Sequence, residues 1–220
     1  ARMLDIPERR VRVLATRLGD TMGGRLLPAV LVAAQAALLS VAASLPVKLI
    51  LDREEEALCT PRSPAFLIRH QTALGADGTP TGARVDIRMS TGPVAPSGPQ
   101  VLQEAARAAW GPYRLPNVEV TARWGPAGGP PGGSYQGAGA APACFAAELH
   151  ASRLEDIARA DPYVWRQRWL PEAASGAGSL PARARGDSAG TAGAREVLEE
   201  AVRASDFRRK HAAFSAAKKR

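Results

Sequence analysis

The apolar positions fall into helix-period and strand-period stretches, separated by two segments that carry neither period. Over residues 7–22, Val11, Leu14, Leu18 and Met22 recur at spacings of three to four, with Arg9, Arg10, Arg12 and Arg17 on the other side and Pro7 suited to a first helical position. An amphipathic helix is therefore expected within residues 1–25, ended by Gly23-Gly24. From Leu26 to Leu45, 16 of 20 residues are Ala, Leu or Val, and no charge occurs between Arg25 and Lys48. A run of about 20 apolar residues matches a bilayer core of about 30 Å, so residues 26–51 are expected to form a single transmembrane helix.

Strand period takes over beyond residue 64. Phe66-Leu67-Ile68 reads as a short strand, and Val85, Ile87 and Met89 alternate along a second, with a turn at Gly75–Pro80 between them. Residues 99–110 read as a helix that opens at Pro99 and closes before Gly111-Pro112. A strand follows over 117–123, then a loop over 125–141 with seven glycines, then a strand over 143–149 and a helix over 151–169 that runs into Asp161-Pro162. Residues 173–193 turn to Ala, Gly, Ser, Pro and Arg and read as a linker or extended arm. Residues 194–220 return to helix around Val197, Leu198, Val202, Phe207 and Phe214 and end in basic runs.

Composition changes the weight of the charge rather than its sign. The 220 residues hold 29 Lys+Arg against 21 Asp+Glu, giving a net charge of +8 and a pI near 10.3. Of the cations 25 are Arg and 4 are Lys, beside 44 Ala. That bias follows GC-rich coding and weakens the case for nucleic acid. Six Arg in residues 1–25, against the Glu54-Glu55-Glu56 run beyond the apolar stretch, place the N-terminus in the matrix or cytoplasm under the positive-inside rule. The chain starts at Ala1, consistent with a removed import segment. Cys59 and Cys144 form no metal spacing, and a disulfide between them is left open.

The order strand–helix–strand–strand–helix over residues 64–172 is that of a ferredoxin-like α+β unit. Within it, Ser152 to Val164, ending in Asp161-Pro162-Tyr163-Val164, resembles the second helix of the YCII-related family. The stretch from Trp124 to Ser134 resembles that family's glycine-rich hairpin. The resemblance implies a ferredoxin-like domain pairing as a dimeric α/β barrel. It also implies a pocket in which Asp161, beside Tyr163, would act with a His on the first helix. Residues 99–110 contain no His. The pocket is then vestigial, no catalytic, cofactor or metal residue is assigned, and Asp161 reads as a helix terminus before Pro162.

Other chemistry is sparse. The glycine-rich loop could cradle a phosphate but lacks the Gly-Lys-Ser/Thr ending of a P-loop, so a hairpin is preferred. His70, His150 and His211 have no metal-ligand spacing. Trp165, Arg166, Arg168 and Trp169 mix aromatics with guanidinium groups, which suits a protein interface or stacking on RNA. Arg208, Arg209, Lys210, Lys218, Lys219 and Arg220 suit contact with an acidic neighbour, with anionic lipid such as cardiolipin, or with rRNA phosphates.

The expectation drawn from these features is a non-catalytic accessory subunit of a mitochondrial inner-membrane complex, in the respiratory electron-transport chain or ATP synthase. It would be single-pass with its N-terminus in the matrix, bind other subunits, and take no cofactor and no small-molecule substrate. The alternatives are an organellar (mitochondrial) ribosomal protein and a membrane-tethered YCII-like enzyme.

Overall fold

The computed structural model of the chain describes residues 1–16, 26–171 and 193–218. In chain order the elements are α1 (Leu26–Ala43), α2 (Arg53–Cys59), β1 (Ala65–Leu74), β2 (Pro80–Ser90), α3 (Gly98–Arg107), β3 (Val118–Gly125), α4 (Ala140–Ala158), α5 (Pro162–Trp169), α6 (Ala194–Ala204) and α7 (Phe207–Lys218). Over the expected N-terminal helix, Arg2–Leu4 and Glu8–Arg10 form 3-10 turns and residues 11–16 carry no helix; residues 17–25 lie outside the described residues. The linker at 173–193 also lies outside them, apart from Gly193.

The strands form one sheet in the order β1-β2-β3. A five-residue turn joins β1 to β2. It is closed by the Gly75 amide donating to the Thr79 carbonyl at 2.8 Å, and Gly78 sits at φ 76, where a side chain would be strained. Asp77 accepts from the Thr79 amide at 3.0 Å and from its hydroxyl at 2.6 Å. From β2 to β3 the chain crosses over through α3. The Ala83 amide donates to the Asn117 carbonyl at 2.8 Å and the Thr91 amide to the Gly125 carbonyl at 3.1 Å. Equal steps along both strands mean that β2 and β3 run parallel, as a crossover helix requires.

The described residues divide into two compact units, and the division falls inside β1, β2, α3 and β3. The first unit comprises Ala1–Leu67, Arg88–Glu104 and Ala122–Ala141. Met89 and Val101 are its buried apolar residues, with Thr60, Thr91 and Ser97 buried beside them. Asp52 caps α2 and forms a capping box with Glu55, each accepting the other's backbone amide, at 2.8 and 2.9 Å.

The second unit comprises Ile68–Ile87, Ala105–Thr121 and Pro142–Arg220. Its core includes Val85 and Ile87 from β2, Ala105 and Ala109, and the α4 stripe Ala143, Ala147, Ala151 and Leu154. Spacings of three and four put that stripe on one helical face. Ala151, Leu154 and Trp165 form a buried cluster, packed against Leu74, Trp110, Tyr113, Ala158, Ala160 and Trp169. Arg159 at φ 50 ends α4, and Asp161 caps α5 by accepting the amides of Tyr163 and Val164 at 2.9 and 3.1 Å.

Two expectations are corrected here. The unit is not ferredoxin-like: residues 143–149 lie within α4 instead of forming a further strand, so a hairpin and one parallel crossover replace the doubled strand–helix–strand pattern. Ala143 and Ala147 are spaced for a helix, and Ala is the best helix former. Nor do residues 26–51 form a transmembrane helix: no helix among the described residues is long and apolar enough to cross a membrane. Helix α1 ends at Ala43 after 18 residues, about 27 Å at the helical rise and short of a bilayer core of about 30 Å. With it falls the single-pass mitochondrial inner-membrane placement with a matrix N-terminus.

Candidate functional site

Three groupings of polar chemistry emerge. The first is the loop from β3 to α4. Its root is clamped: the Gly132 amide donates to the carbonyls of Thr91 (2.6 Å) and Val94 (3.1 Å), and the Gly133 amide donates to the Arg62 carbonyl at 2.9 Å. The Ser134 amide donates to Ser97 Oγ at 2.8 Å. A Cβ on Gly133 would stand 2.6 Å from Pro61 Cβ, so only glycine fits there. Beyond this clamp Gln136, Gly137 and Ala138 all have left-handed backbone, at φ 30, 79 and 47. Two of these three are not glycine, which costs energy and marks a conformation held by its surroundings. The run leads into α4, where the Ala140 amide donates to the Gly137 carbonyl at 2.9 Å and Pro142 carries no amide hydrogen. A loop of small residues with left-handed backbone lets a ligand approach its main chain closely. At the loop's origin, Arg88, Met89, Arg123, Trp124 and Gly125 line a cleft of about 320 Å³.

The second grouping joins α4 and α5. Arg166 pairs with Glu155, and its Nη2 lies 3.2 Å from both Glu148 and the Ser152 hydroxyl. The Tyr113 hydroxyl donates to Glu148 at 2.8 Å. Burial pushes the Glu155 carboxyl above its ordinary range even with Arg166 pulling it back. Burial likewise pulls the Arg166 guanidinium down, but Glu155 and the nearby acidic groups hold it above its usual value. Tyr113 is raised strongly, by burial first and by Glu148 second. This network welds two helices and keeps every charge paired.

The third grouping is aromatic. His70 and His150 stack at 5.0 Å between ring centroids, and Trp110 meets the His150 ring edge-on at 5.8 Å. His70 Nε2 donates to the Ala109 carbonyl at 2.8 Å, while His150 Nε2 and Thr72 Oγ1 share a 2.7 Å hydrogen bond. Burial, then His70, lowers the His150 pKa to about 4, so His150 stays uncharged near neutrality. Among the described residues no three His, Cys, Asp or Glu side chains converge to hold a metal.

The residues singled out in the sequence scatter over these surroundings. Asp161 is the α5 cap and lies 3.6 Å from His211 Nδ1. Tyr163 is buried beneath the Arg208 guanidinium, 5.0 Å from its ring. Trp165 is buried edge-on to Tyr113, and Arg166 belongs to the α4–α5 network. Arg168 stacks over Trp169 and donates to Thr79 Oγ1 at 3.3 Å. Arg209 pairs with Asp206, and Lys210 donates to the Ser205 carbonyl at 2.6 Å. The Lys218 side chain, Lys219 and Arg220 lie outside the described residues. Cys59 and Cys144 are free thiols. The left-handed run at 136–138 and the histidine pair have no side-chain signature in the sequence; the glycine density of the loop is the one signal for the first.

A family model described as "Molybdopterin cofactor-binding domain" matches residues 1–170. The chain is 30% identical over 168 residues to a probable xanthine dehydrogenase component of Bacillus subtilis, covering 76% of this chain and 22% of that protein. It is 30% identical over 162 residues to the nicotinate dehydrogenase large molybdopterin subunit of Eubacterium barkeri, covering 74% of this chain and 38% of that one. Among solved structures, the aldehyde oxidoreductase of Desulfovibrio desulfuricans superposes with a TM-score of 0.74 at 19% identity, over 88% of this chain and 20% of that one. The CO dehydrogenase of Oligotropha carboxidovorans gives 0.75 at 16% identity, over 97% and 26%. The chain thus spans well under half the length of the relatives it matches.

These matches overturn the YCII-related assignment. Its quoted residues carry generic chemistry: Asp161-Pro162 is a cap followed by a first-turn proline, and the glycines serve a loop. They overturn the non-catalytic accessory role as well, since the similar proteins are oxidoreductases of a cofactor-binding family. The ribosomal and YCII-like enzyme alternatives go with it, as do the partners drawn from them: membrane-complex components, cardiolipin, rRNA and the absence of a small-molecule substrate.

Proposed function

This chain belongs to the molybdopterin cofactor-binding domain family, and from that premise we propose that it forms one part of the cofactor cradle in a molybdenum-dependent oxidoreductase of small heterocycles or aldehydes. The observation that carries the reading is the left-handed run Gln136–Gly137–Ala138 at the start of α4, within the family match. The names of the relatives, xanthine and nicotinate dehydrogenases among them, support the substrate class.

The residues present fit such a group. A pterin cofactor bearing phosphate asks for hydrogen-bond donors and close backbone approach rather than for protein metal ligands. The β3–α4 loop offers backbone amides, small side chains at Gly137, Ala138 and Gly139, and a root fixed by Thr91, Ser97 and Arg62. Arg88 and Arg123 line the cleft at the loop's origin. The bound cofactor would supply two-electron redox chemistry. The chain's own part is to bind and orient: the clamp at 132–134 sets where the loop stands, and the strained run sets where its amides point. Preorganised donors of this kind spend no reorganisation energy when the charge arrives.

The test substitutes Gly137→Val in the intact oxidoreductase. An L side chain in the left-handed region costs about 1–2 kcal/mol, enough to reduce the binding-competent loop roughly tenfold. Pterin and molybdenum per polypeptide, measured on the purified protein, are expected to fall to a small fraction with the melting temperature little changed. Gly128→Ala, with nothing within 4 Å of the added Cβ, serves as the control. A full complement of pterin in Gly137→Val would overturn the assignment.

A further inference from the structure

Asp77-Gly78 is the one Asp-Gly step in the sequence, and no Asn-Gly step occurs. Aspartate followed by glycine is the pair most open to self-modification, because no side chain shields the next amide nitrogen from the carboxyl carbon. The fold nevertheless requires glycine there. Gly78 sits at φ 76, and a Cβ on it would stand 3.4 Å from Ala158 Cβ on α4. The exposed Asp77 carboxylate is tied down. Its Oδ1 accepts the Thr79 amide at 3.0 Å and its Oδ2 accepts the Thr79 hydroxyl at 2.6 Å. That hydroxyl in turn accepts from Arg168 Nη2 of α5 at 3.3 Å. The neighbouring nitrogen is engaged as well, since the Gly78 amide donates to the Gly75 carbonyl at 2.9 Å. The Thr79 hydroxyl, then its amide, hold the Asp77 carboxyl below its ordinary range, and an ionised carboxylate resists attack by a nucleophile.

We propose that Asp77-Gly78 is the chain's site of isoaspartate formation, and that Thr79, steadied by Arg168, restrains it in the folded protein. In the first step the Gly78 nitrogen bonds to Asp77 Cγ, and the carboxyl hydroxyl leaves as water with the amide proton. Water then adds to the resulting succinimide. Cleavage between the nitrogen and the Asp77 main-chain carbonyl carbon leaves the backbone running through Cγ, with a free α-carboxylate. One water is released and one is taken up, and nothing is oxidised or reduced. The turn thereby gains a main-chain methylene between the Gly75 amide and the Thr79 carbonyl, whose 2.8 Å bond closes the β1–β2 hairpin and sets its register. Ring closure needs a protonated carboxyl and a Gly78 nitrogen free to reach Cγ. Thr79 opposes the first and the bond to Gly75 opposes the second. Neither the pterin nor its loop enters this chemistry.

The experiment incubates the intact protein near neutral pH, folded and in urea, and follows isoaspartate in the tryptic peptide 70–84 by mass spectrometry. Folded wild type is expected to form it slowly. Thr79→Val drops the hydroxyl and keeps the amide, and is expected to form isoaspartate at least about fivefold faster, as loss of a hydrogen bond to a charged group implies. Arg168→Met is expected to give a smaller rise, and Thr79→Ser, which keeps the hydroxyl, the wild-type rate. In urea all four should converge on one faster rate, since the restraint belongs to the fold. A folded Thr79→Val at the wild-type rate, or a folded Thr79→Ser as fast as Thr79→Val, would overturn the proposal. So would a folded wild type as fast as the same protein in urea, or isoaspartate accumulating first at another aspartate. If Thr79→Val folds poorly, the folded and urea rates of wild type, Thr79→Ser and Arg168→Met decide the matter without it.

Discussion

Replacing Arg166 by Met removes the cation from a network whose carboxylates stay behind. Glu155 is 6% exposed at its side chain and Arg166 21%, so Glu155 would be left charged without a partner in a water-poor site. Breaking a buried pair on one side costs about 3–5 kcal/mol; the partial exposure of Arg166 and the shared contact with the half-exposed Glu148 argue for the lower end, about 3 kcal/mol. For a chain of this size that lowers the melting temperature by roughly 6–12 °C. The sign with pH follows from Glu155. Its folded-state pKa lies above its ordinary value, so the native state binds the extra proton. The variant should therefore recover stability as pH falls from about 7 toward the raised pKa of Glu155, where protonation removes the orphaned charge. The assay is thermal unfolding by circular dichroism at pH about 7 and at successively lower pH for wild type, Arg166→Met, and the double variant Glu155→Leu/Arg166→Met. The double variant should return to within about 1 kcal/mol of wild type, because an apolar pair replaces a buried ionic one at little cost. A single variant as stable as wild type, or a double variant as unstable as the single, would refute the reasoning.

Two further outcomes are expected. His150, with its pKa lowered to about 4, binds its proton less readily folded than unfolded. The stability it contributes is complete above its ordinary value near 6.5 and is lost as pH falls toward about 4. His150→Gln should flatten that acid limb, and an unchanged limb would show that the His70–His150 stack does not set it. Asp161→Ala should lower stability by about 1 kcal/mol through loss of the α5 cap, with Asp161→Asn largely restoring it; thermal melts decide, and equal loss in both variants would mean the cap geometry is not what Asp161 supplies.

The sheet is legible in the sequence and the helix after it is not, for the same physical reason. Val85, Ile87 and Met89 bury one face of β2 at strict alternation, and large apolar residues at period two leave a plain signal. The buried face of α4 opens with Ala143, Ala147 and Ala151 before reaching Leu154, and alanine is too weakly apolar to show its period against a background rich in alanine. That ambiguity also makes α1 resemble a membrane span, although the helix stops at Ala43. The candidate site is hidden for a different reason. The loop at 136–138 is set apart by left-handed φ values, which no residue pattern encodes. The stacking of His70 on His150 joins positions far apart in the chain and becomes visible only once β1 and α4 are in place. Function is misread from the sequence because caps and turns, such as Asp161-Pro162, recur in many unrelated folds.

The central claim is that this chain holds part of a molybdopterin. It is tested most directly by the pterin and molybdenum content of the intact oxidoreductase, purified without denaturation. The account predicts both in equimolar amounts with this polypeptide, and a protected backbone at residues 136–139 that becomes exposed when the pterin is removed. An enzyme that carries neither, or one whose loop at 136–139 exchanges identically with and without pterin, would contradict it.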